Sequence, residues 1–239
     1  MPRQLGLRES GRLRRLARPL NDALARRFGV RLTSDVPRVR INAEWIQRLL
    51  YFDRLLEQVR DVEGDVVECG VAGGQSLAML ASLLRERRQD RRIWGFDSWA
   101  GLPGPSAADL ESDRSRAASR MFAWASPSVV RAELRAHGLD PTSVELVRGS
   151  FDETLPTYEG TIALLHVDAD LYESYRVTLS ELWPRVGIGG VVAFDEYDDS
   201  AAWPGARRAV DEFLHALPPG SAELRHDGTA GKAFAVKLR

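Results

Sequence analysis

The chain has almost no cysteine: Cys69 is the only one. An internal disulfide is therefore excluded, and such usage suits a reducing compartment. Its place inside an apolar run makes Cys69 a small buried hydrophobe before it is a reactive thiol. Long apolar runs are also missing. None approaches the ~20 residues that a bilayer span requires, and no signal-like hydrophobic segment follows the N-terminus. The expectation is a cytoplasmic protein with no membrane span. A surplus of charge is absent too: 33 Lys and Arg face 34 Asp and Glu, for a net charge of −1. That leaves no global pull towards nucleic acid. There are no internal repeats or low-complexity segments. Neither the G-x-G-x-x-G fingerprint nor the Gly-Lys-Ser/Thr of a P-loop occurs after a strand. What is present, 239 residues with 44% hydrophobic, fits one α/β domain with an added element.

The most informative stretch runs from Ile162 to Tyr197. Ile162-Ala163-Leu164-Leu165-His166-Val167 is a short apolar run that ends in Asp168-Ala169-Asp170, and Gly189-Gly190-Val191-Val192-Ala193-Phe194 ends in Asp195-Glu196-Tyr197. Each run reads as a strand buried on both faces. Between them, residues 174–186 carry Leu179, Leu182 and Val186 at helical spacing, with Pro184 near the end. This is a β-α-β unit with parallel strands. Its strands end on one edge of the sheet, so Asp168, Asp170, Asp195 and Glu196 converge where open α/β sheets bind ligands. Crowded carboxylates without thiolates call for a hard cation such as Mg²⁺, Mn²⁺ or Ca²⁺, or for protons.

The first 41 residues differ in composition from the rest. Nine arginines between Arg3 and Arg31 face only Glu9 and Asp22, and Leu13, Leu16, Leu20, Leu24 and Phe28 form one helical stripe. A basic helical arm over 1–41 is expected, packed on its own domain or on a twin subunit, which makes a homo-oligomer possible through it. Residues 42–239 form the main domain. Asn42 is a candidate N-cap, and Trp45, Ile46, Leu49, Leu50, Phe52, Leu55, Leu56 and Val59 repeat at helical spacing, up to a stop near Gly64. The first strand, 65–71, leads through Gly70, Gly73 and Gly74 into a helix. Glycines there let a ligand approach backbone N–H groups. Glu68 just before the turn disfavours a pyrophosphate and suits a ligand with an amine. The second strand, 92–97, ends in Asp97, where this fold places a carboxylate for ribose hydroxyls. A nucleoside with an amino-acid-like tail meets this description, and S-adenosylmethionine is the common one.

Residues 99–126 break the alternation and form a candidate lid, with Arg114, Arg116 and Arg120 before Met121, Phe122 and Trp124. A helix from Ser126-Pro127 and a third strand, 144–149, follow, and the loop from Ser150 through Phe151 and Asp152 would lie beside an adenine. A helix over 204–217 precedes two strands joined at Asp227-Gly228, an antiparallel hairpin. Five parallel strands closed by such a hairpin give a Rossmann-like, mostly parallel seven-stranded sheet, the class I methyltransferase architecture.

Four blocks then resemble one family. They are Gly64-Asp65-Val66-Val67-Glu68-Cys69-Gly70-Val71, Phe96-Asp97-Ser98-Trp99-Ala100-Gly101-Leu102-Pro103, Val167-Asp168-Ala169-Asp170-Leu171-Tyr172-Glu173-Ser174, and Gly189-Gly190 to Tyr197. Over 42–239 the chain is similar to the TylF/MycF-type macrocin O-methyltransferases, which methylate sugar hydroxyls of natural products. The resemblance implies S-adenosylmethionine and Mg²⁺ (or Mn²⁺), with the metal on Asp168, Asp195 and Glu196. The family's third ligand is usually aspartate, so Glu196 is one methylene longer. The cofactor would be held by Glu68, Gly70, Val71, Gly74, Ser76, Asp97, Ser98, Ser150, Phe151 and Asp168, with Asp168 also the candidate base. The acceptor is a small hydroxylated molecule. His166 reads as a hydrogen-bonded structural residue before a base. Two rival readings stay open: a metal-dependent glycosyltransferase using Asp168-x-Asp170, and a non-catalytic binding module that keeps the fold.

Overall fold

In the computed structural model, residues 43–119 and 121–239 are described. The basic arm over 1–41, the cap Asn42 and Arg120 lie outside them.

Strands β1 (Asp65–Cys69), β2 (Ile93–Asp97), β3 (Val144–Arg148), β4 (Ile162–Val167) and β5 (Val186–Phe194) are followed by β6 (Ala222–Asp227) and β7 (Lys232–Lys237). They form one sheet in the order β3-β2-β1-β4-β5-β7-β6. β1 to β5 pair in parallel, whereas β7 is antiparallel to both β5 and β6. The last strand thus slots between β5 and β6, and its antiparallel pairing with β6 is the expected hairpin. Every residue of β4 is buried, as are the last five of β5, so the sheet centre is covered on both faces.

Alternate residues serve the two faces. Val66, Leu164 and Val191 join one core with helices α1 (Ala43–Gln58), α2 (Gln75–Glu86) and α4 (Pro127–Ala136); α3 is the short helix Asp113–Arg116. Val67, Leu165 and Val192 join the other with α6 (Tyr172–Leu182) and α7 (Pro204–Ala216), while α5 (Phe151–Thr154) is a single turn. Truncating a fully buried leucine such as Leu164 or Leu165 would cost ~2–5 kcal/mol.

Two boundaries differ from the sequence reading for physical reasons. Pro184 has no N–H to donate, so α6 stops at Leu182, a 3-10 turn spans Trp183–Arg185, and Val186 opens β5. β5 therefore starts at Val186 rather than Gly189 and takes in the glycines at 187, 189 and 190, where its register against β4 jumps from Ile162↔Val186 to Leu164↔Val191. In α1 only Tyr51, Phe52, Leu55 and Leu56 are buried, and the helix ends at Gln58 rather than near Gly64. Trp45, Ile46, Leu49 and Leu50, expected on the same inward stripe, are 36–48% exposed. Among the described residues no helix is long and apolar enough to cross a membrane.

Candidate active site

The ladder carries the acids to one edge. The Asp168 N–H donates to the Cys69 carbonyl at 2.9 Å and the Asp195 N–H to that of Val167 at 2.9 Å, so the two residues end neighbouring strands side by side. Oxygens of Asp168, Asp195 and Glu196 all lie within 4.8 Å of one another. They stand on the wall of a cavity of about 990 Å³ at the carboxyl edge of the sheet. That is the upper end of the ~300–1,000 Å³ usual for small-molecule sites.

At the β1 end the backbone itself bounds the cavity. Gly70 has φ +92, and a Cβ there would lie 1.7 Å from the Asp168 carbonyl oxygen, so no other residue fits. Val71 and Ser76 line the cavity with Gly70, as do Ser98, Ser150 and Phe151. Gly74 is different. It caps α2 in the left-handed region, faces Val130, and is not on the cavity wall.

Asp97 lines the cavity but also does local work. One carboxylate oxygen accepts from the Ala72 N–H at 2.8 Å and the other from the Trp99 N–H at 2.6 Å. Each oxygen keeps a lone pair for a further donor. Residues 100–104, Arg114, Ser119 and Phe122 bring the inserted segment onto the wall.

Glu68 is buried beneath the centre, where Oε1 pairs with His166 Nδ1 at 2.9 Å. Oε2 has no partner among the described residues. Burial pushes the Glu68 carboxyl up to about 7, against the pull of His166. A buried, half-satisfied carboxyl on a cavity wall fits an ammonium. The His166 ring meets Phe52 edge-on at 4.9 Å, and its Nε2 is 3.8 Å from Asp195 Oδ1. Burial lowers its pKa, but Asp195 and Glu68 outweigh that and bring it up to about 9.

Three basic groups converge on Asp195. The Arg48 Nη2 lies 3.0 Å from Oδ1 and 3.1 Å from Oδ2, while Lys232 Nζ is 3.0 Å from Oδ1 and 2.6 Å from the carbonyl oxygen. Arg48 Nη1 bonds Ser76 Oγ at 3.0 Å and Asp168 Oδ2 at 3.3 Å. Burial opposes ionisation of Asp195, yet His166, Arg48 and Lys232 prevail and hold its carboxyl well below the usual range. The remaining acids go the other way. Burial, then the charges of Asp168 and Asp195, push Asp170 up to about 8 and Glu196 well above its ordinary value.

Glu196 is 3% exposed; its Oε2 accepts from the Tyr175 hydroxyl at 2.6 Å, and the Asp170 N–H approaches at 3.4 Å. Asp170 takes φ +59, a left-handed kink that is costly outside glycine and recurs at functional sites. Carboxylate oxygens gathered beside a resident guanidinium form a donor set suited to a hard cation.

Sequence reasoning missed Arg48, Lys232 and Tyr175. Arg48 sits among apolar residues of α1, and its acidic partners are 120 and 147 positions away, so no local spacing reveals it.

Against known proteins, the profile of the macrocin-O-methyltransferase (TylF) family matches residues 15–218. The demethyldecarbamoylnovobiocin O-methyltransferase of Streptomyces niveus is 36% identical over 174 residues, 70% of this chain and 65% of that protein. The 8-demethyl-8-(2,3-dimethoxy-α-L-rhamnosyl)-tetracenomycin-C 4'-O-methyltransferase of Streptomyces olivaceus is 37% identical over 156 residues, 64% of this chain and 58% of that protein. The matches therefore span less than two thirds of either relative. Among solved structures, the O-methyltransferase NovP superposes with a TM-score of 0.71 at 30% identity, covering 90% of this chain and 88% of that one. The calicheamicin methyltransferase CalS11 does so with 0.71 at 28%, covering 97% and 95%. The fold is the Rossmann-like fold of class I O-methyltransferases.

Proposed function

The chain belongs to the macrocin O-methyltransferase (TylF) family, and from that premise we propose that it is a cytoplasmic enzyme transferring a methyl group from S-adenosylmethionine to a hydroxyl of a sugar-bearing or other small natural product, with a divalent cation. The observation that carries the reading is the meeting of Asp168, Asp195 and Glu196 within 4.8 Å on the wall of a 990 Å³ cavity.

The cofactor supplies an electrophilic methyl group. The chain's part would be to hold it, with Glu68 Oε2 for its amine, Asp97 for its ribose hydroxyls, the backbone at Gly70 and Val71 for its tail, and Ser150 with Phe151 for its adenine. Ser76 and Ser98 complete the polar lining. Mg²⁺ or Mn²⁺, held by Asp168, Asp195 and Glu196, would lower the pKa of an acceptor hydroxyl and orient it. Asp168 keeps 27% of its side chain exposed. Its recess in the cavity and the nearby Asp195 charge push its carboxyl upward, which suits a group that receives the acceptor proton. The inserted segment, on the wall through residues 100–104, Arg114, Ser119 and Phe122, would cover the acceptor and exclude water. Asp168-x-Asp170 as a sugar-nucleotide motif has no comparable support, because the Gly70 turn and Asp97 have no role in that reading.

The test is methyl transfer from labelled cofactor to a panel of glycosylated and phenolic natural products, read by mass spectrometry with Mg²⁺ and with a chelator. Methylated product that disappears with the chelator and in Asp195→Ala supports the proposal. Product formed equally well under both conditions removes the metal from it, and absence of cofactor binding removes the activity altogether.

A further inference from the structure

Resting on the proposed cation site, we propose that Arg48 is a built-in counter-cation of the acidic centre. It neutralises Asp168 and Asp195 while they hold no metal and has to leave them for a divalent cation to bind.

The geometry is that of substitution. One guanidinium nitrogen is shared between Ser76 Oγ and Asp168 Oδ2, and the other meets both oxygens of Asp195. These carboxylates, with Glu196, are the ones a Mg²⁺ or Mn²⁺ would draw to ~2.0–2.2 Å. Lys232 makes a different contact: it reaches Asp195 alone and is anchored to the same residue's carbonyl oxygen. Lys232 keeps the Asp195 carbonyl oxygen as a partner if a cation takes Oδ1, whereas Arg48 meets both acids only through the side-chain oxygens that a cation would take.

Two positive groups on the same oxygens repel strongly in a recess where the side chains are 15–27% exposed. The guanidinium cannot give way by losing its proton, and burial does not release it, because Asp195, Asp168, Glu196 and Glu68 hold it charged. It must move. The half of α1 that carries it has room to do so, since Trp45, Ile46, Leu49 and Leu50 around it are 36–48% exposed and outside the core. Arg48 is therefore a positioning residue that sets metal affinity, and the first turns of α1 report on metal occupancy.

The test uses the full chain without acceptor. Mn²⁺ is titrated calorimetrically into wild type, Arg48→Met and Arg48→Lys, and hydrogen exchange over residues 43–52 is followed with and without saturating Mn²⁺. Arg48→Met is expected to bind Mn²⁺ about tenfold tighter than wild type, to melt lower when metal-free, and to recover when Mn²⁺ is added. Arg48→Lys is expected to fall between the two. In wild type, Mn²⁺ should speed exchange in the first half of α1, a readout that stands even if Arg48→Met does not fold. Unchanged or weaker Mn²⁺ binding by Arg48→Met, or exchange in wild-type α1 that Mn²⁺ leaves untouched, overturns the inference while leaving the metal site standing. Failure of wild type and variants alike to bind Mn²⁺ overturns both.

Discussion

Tyr175→Phe removes a single oxygen from the buried seam between α6 and β5, and its cost can be worked out atom by atom. The hydroxyl lies 2.8 Å from the Val167 carbonyl and 2.6 Å from Glu196 Oε2. Val167 loses little, because its carbonyl still accepts the Asp195 N–H at 2.9 Å. Glu196 Oε2 is left with the 3.4 Å approach of the Asp170 N–H in a site 3% exposed. The ring stays, so its packing against Phe194, 6.5 Å between centroids, is kept. A hydrogen bond contributes ~1 kcal/mol between neutral groups and ~1.5–3 kcal/mol to a charged one, and an orphaned buried acceptor costs ~1–3 kcal/mol. The expected loss is about 2 kcal/mol, which for a domain of this size lowers Tm by roughly 4–8 °C. Thermal unfolding of the metal-free protein measures it. The cycle with Glu196→Gln should show a coupling of about 1 kcal/mol. A Tm within a degree of wild type, or strictly additive losses in the double variant, would refute the assignment of the loss to Glu196.

Gly70→Ala should abolish S-adenosylmethionine binding in calorimetry and cost ~3 kcal/mol or more, because its Cβ would lie 1.7 Å from a backbone oxygen at φ +92; wild-type affinity in that variant sinks the description of the turn. Asp227→Ala removes the acceptor for the Thr229 and Ala230 N–H groups and for Arg54 in the β6–β7 turn. Burial opposes ionisation of Asp227, but Arg54 and the turn amides hold its carboxyl below the usual range. Its contribution is therefore complete above the unfolded pKa of ~4 and lost as pH falls below that. Melting curves should show wild type and variant converging as pH falls below about 4, and a gap that widens on acidification would contradict the sign.

The frame was legible because its signals are local. Ile162–Val167 and Val191–Phe194 are short, bounded and β-branched or aliphatic, and the acids after them share one sheet edge by the geometry of parallel pairing alone. The hairpin at residues 227–231 announced the antiparallel closure. Less legible were features whose causes lie far away in the chain. That β5 begins as early as Val186, with glycines 187, 189 and 190 inside it, is not visible until the bulge against Ile162–Leu164 is seen. Trp45, Ile46, Leu49 and Leu50 carry the same helical periodicity as Phe52, Leu55 and Leu56, and periodicity does not say where the sheet beneath a helix ends. Arg48 was hidden in that stripe, since a cation on an amphipathic helix reads as solvated until its carboxylates are known. Gly74 looked like a ligand-facing glycine, yet its backbone conformation and its contact with Val130 account for it.

The placement of β7 has a bearing on how the molecule is made. Among the described strands it comes last in sequence, yet it lies inside the sheet and supplies Lys232 to Asp195. A growing polypeptide that has passed β5 but not reached residue 237 presents a bare sheet border, the kind of border that recruits foreign strands. It also holds its carboxylates one positive partner short. The acidic centre is thus complete only once β7 has joined the sheet, because the border of β5 and a positive partner of Asp195 both depend on it.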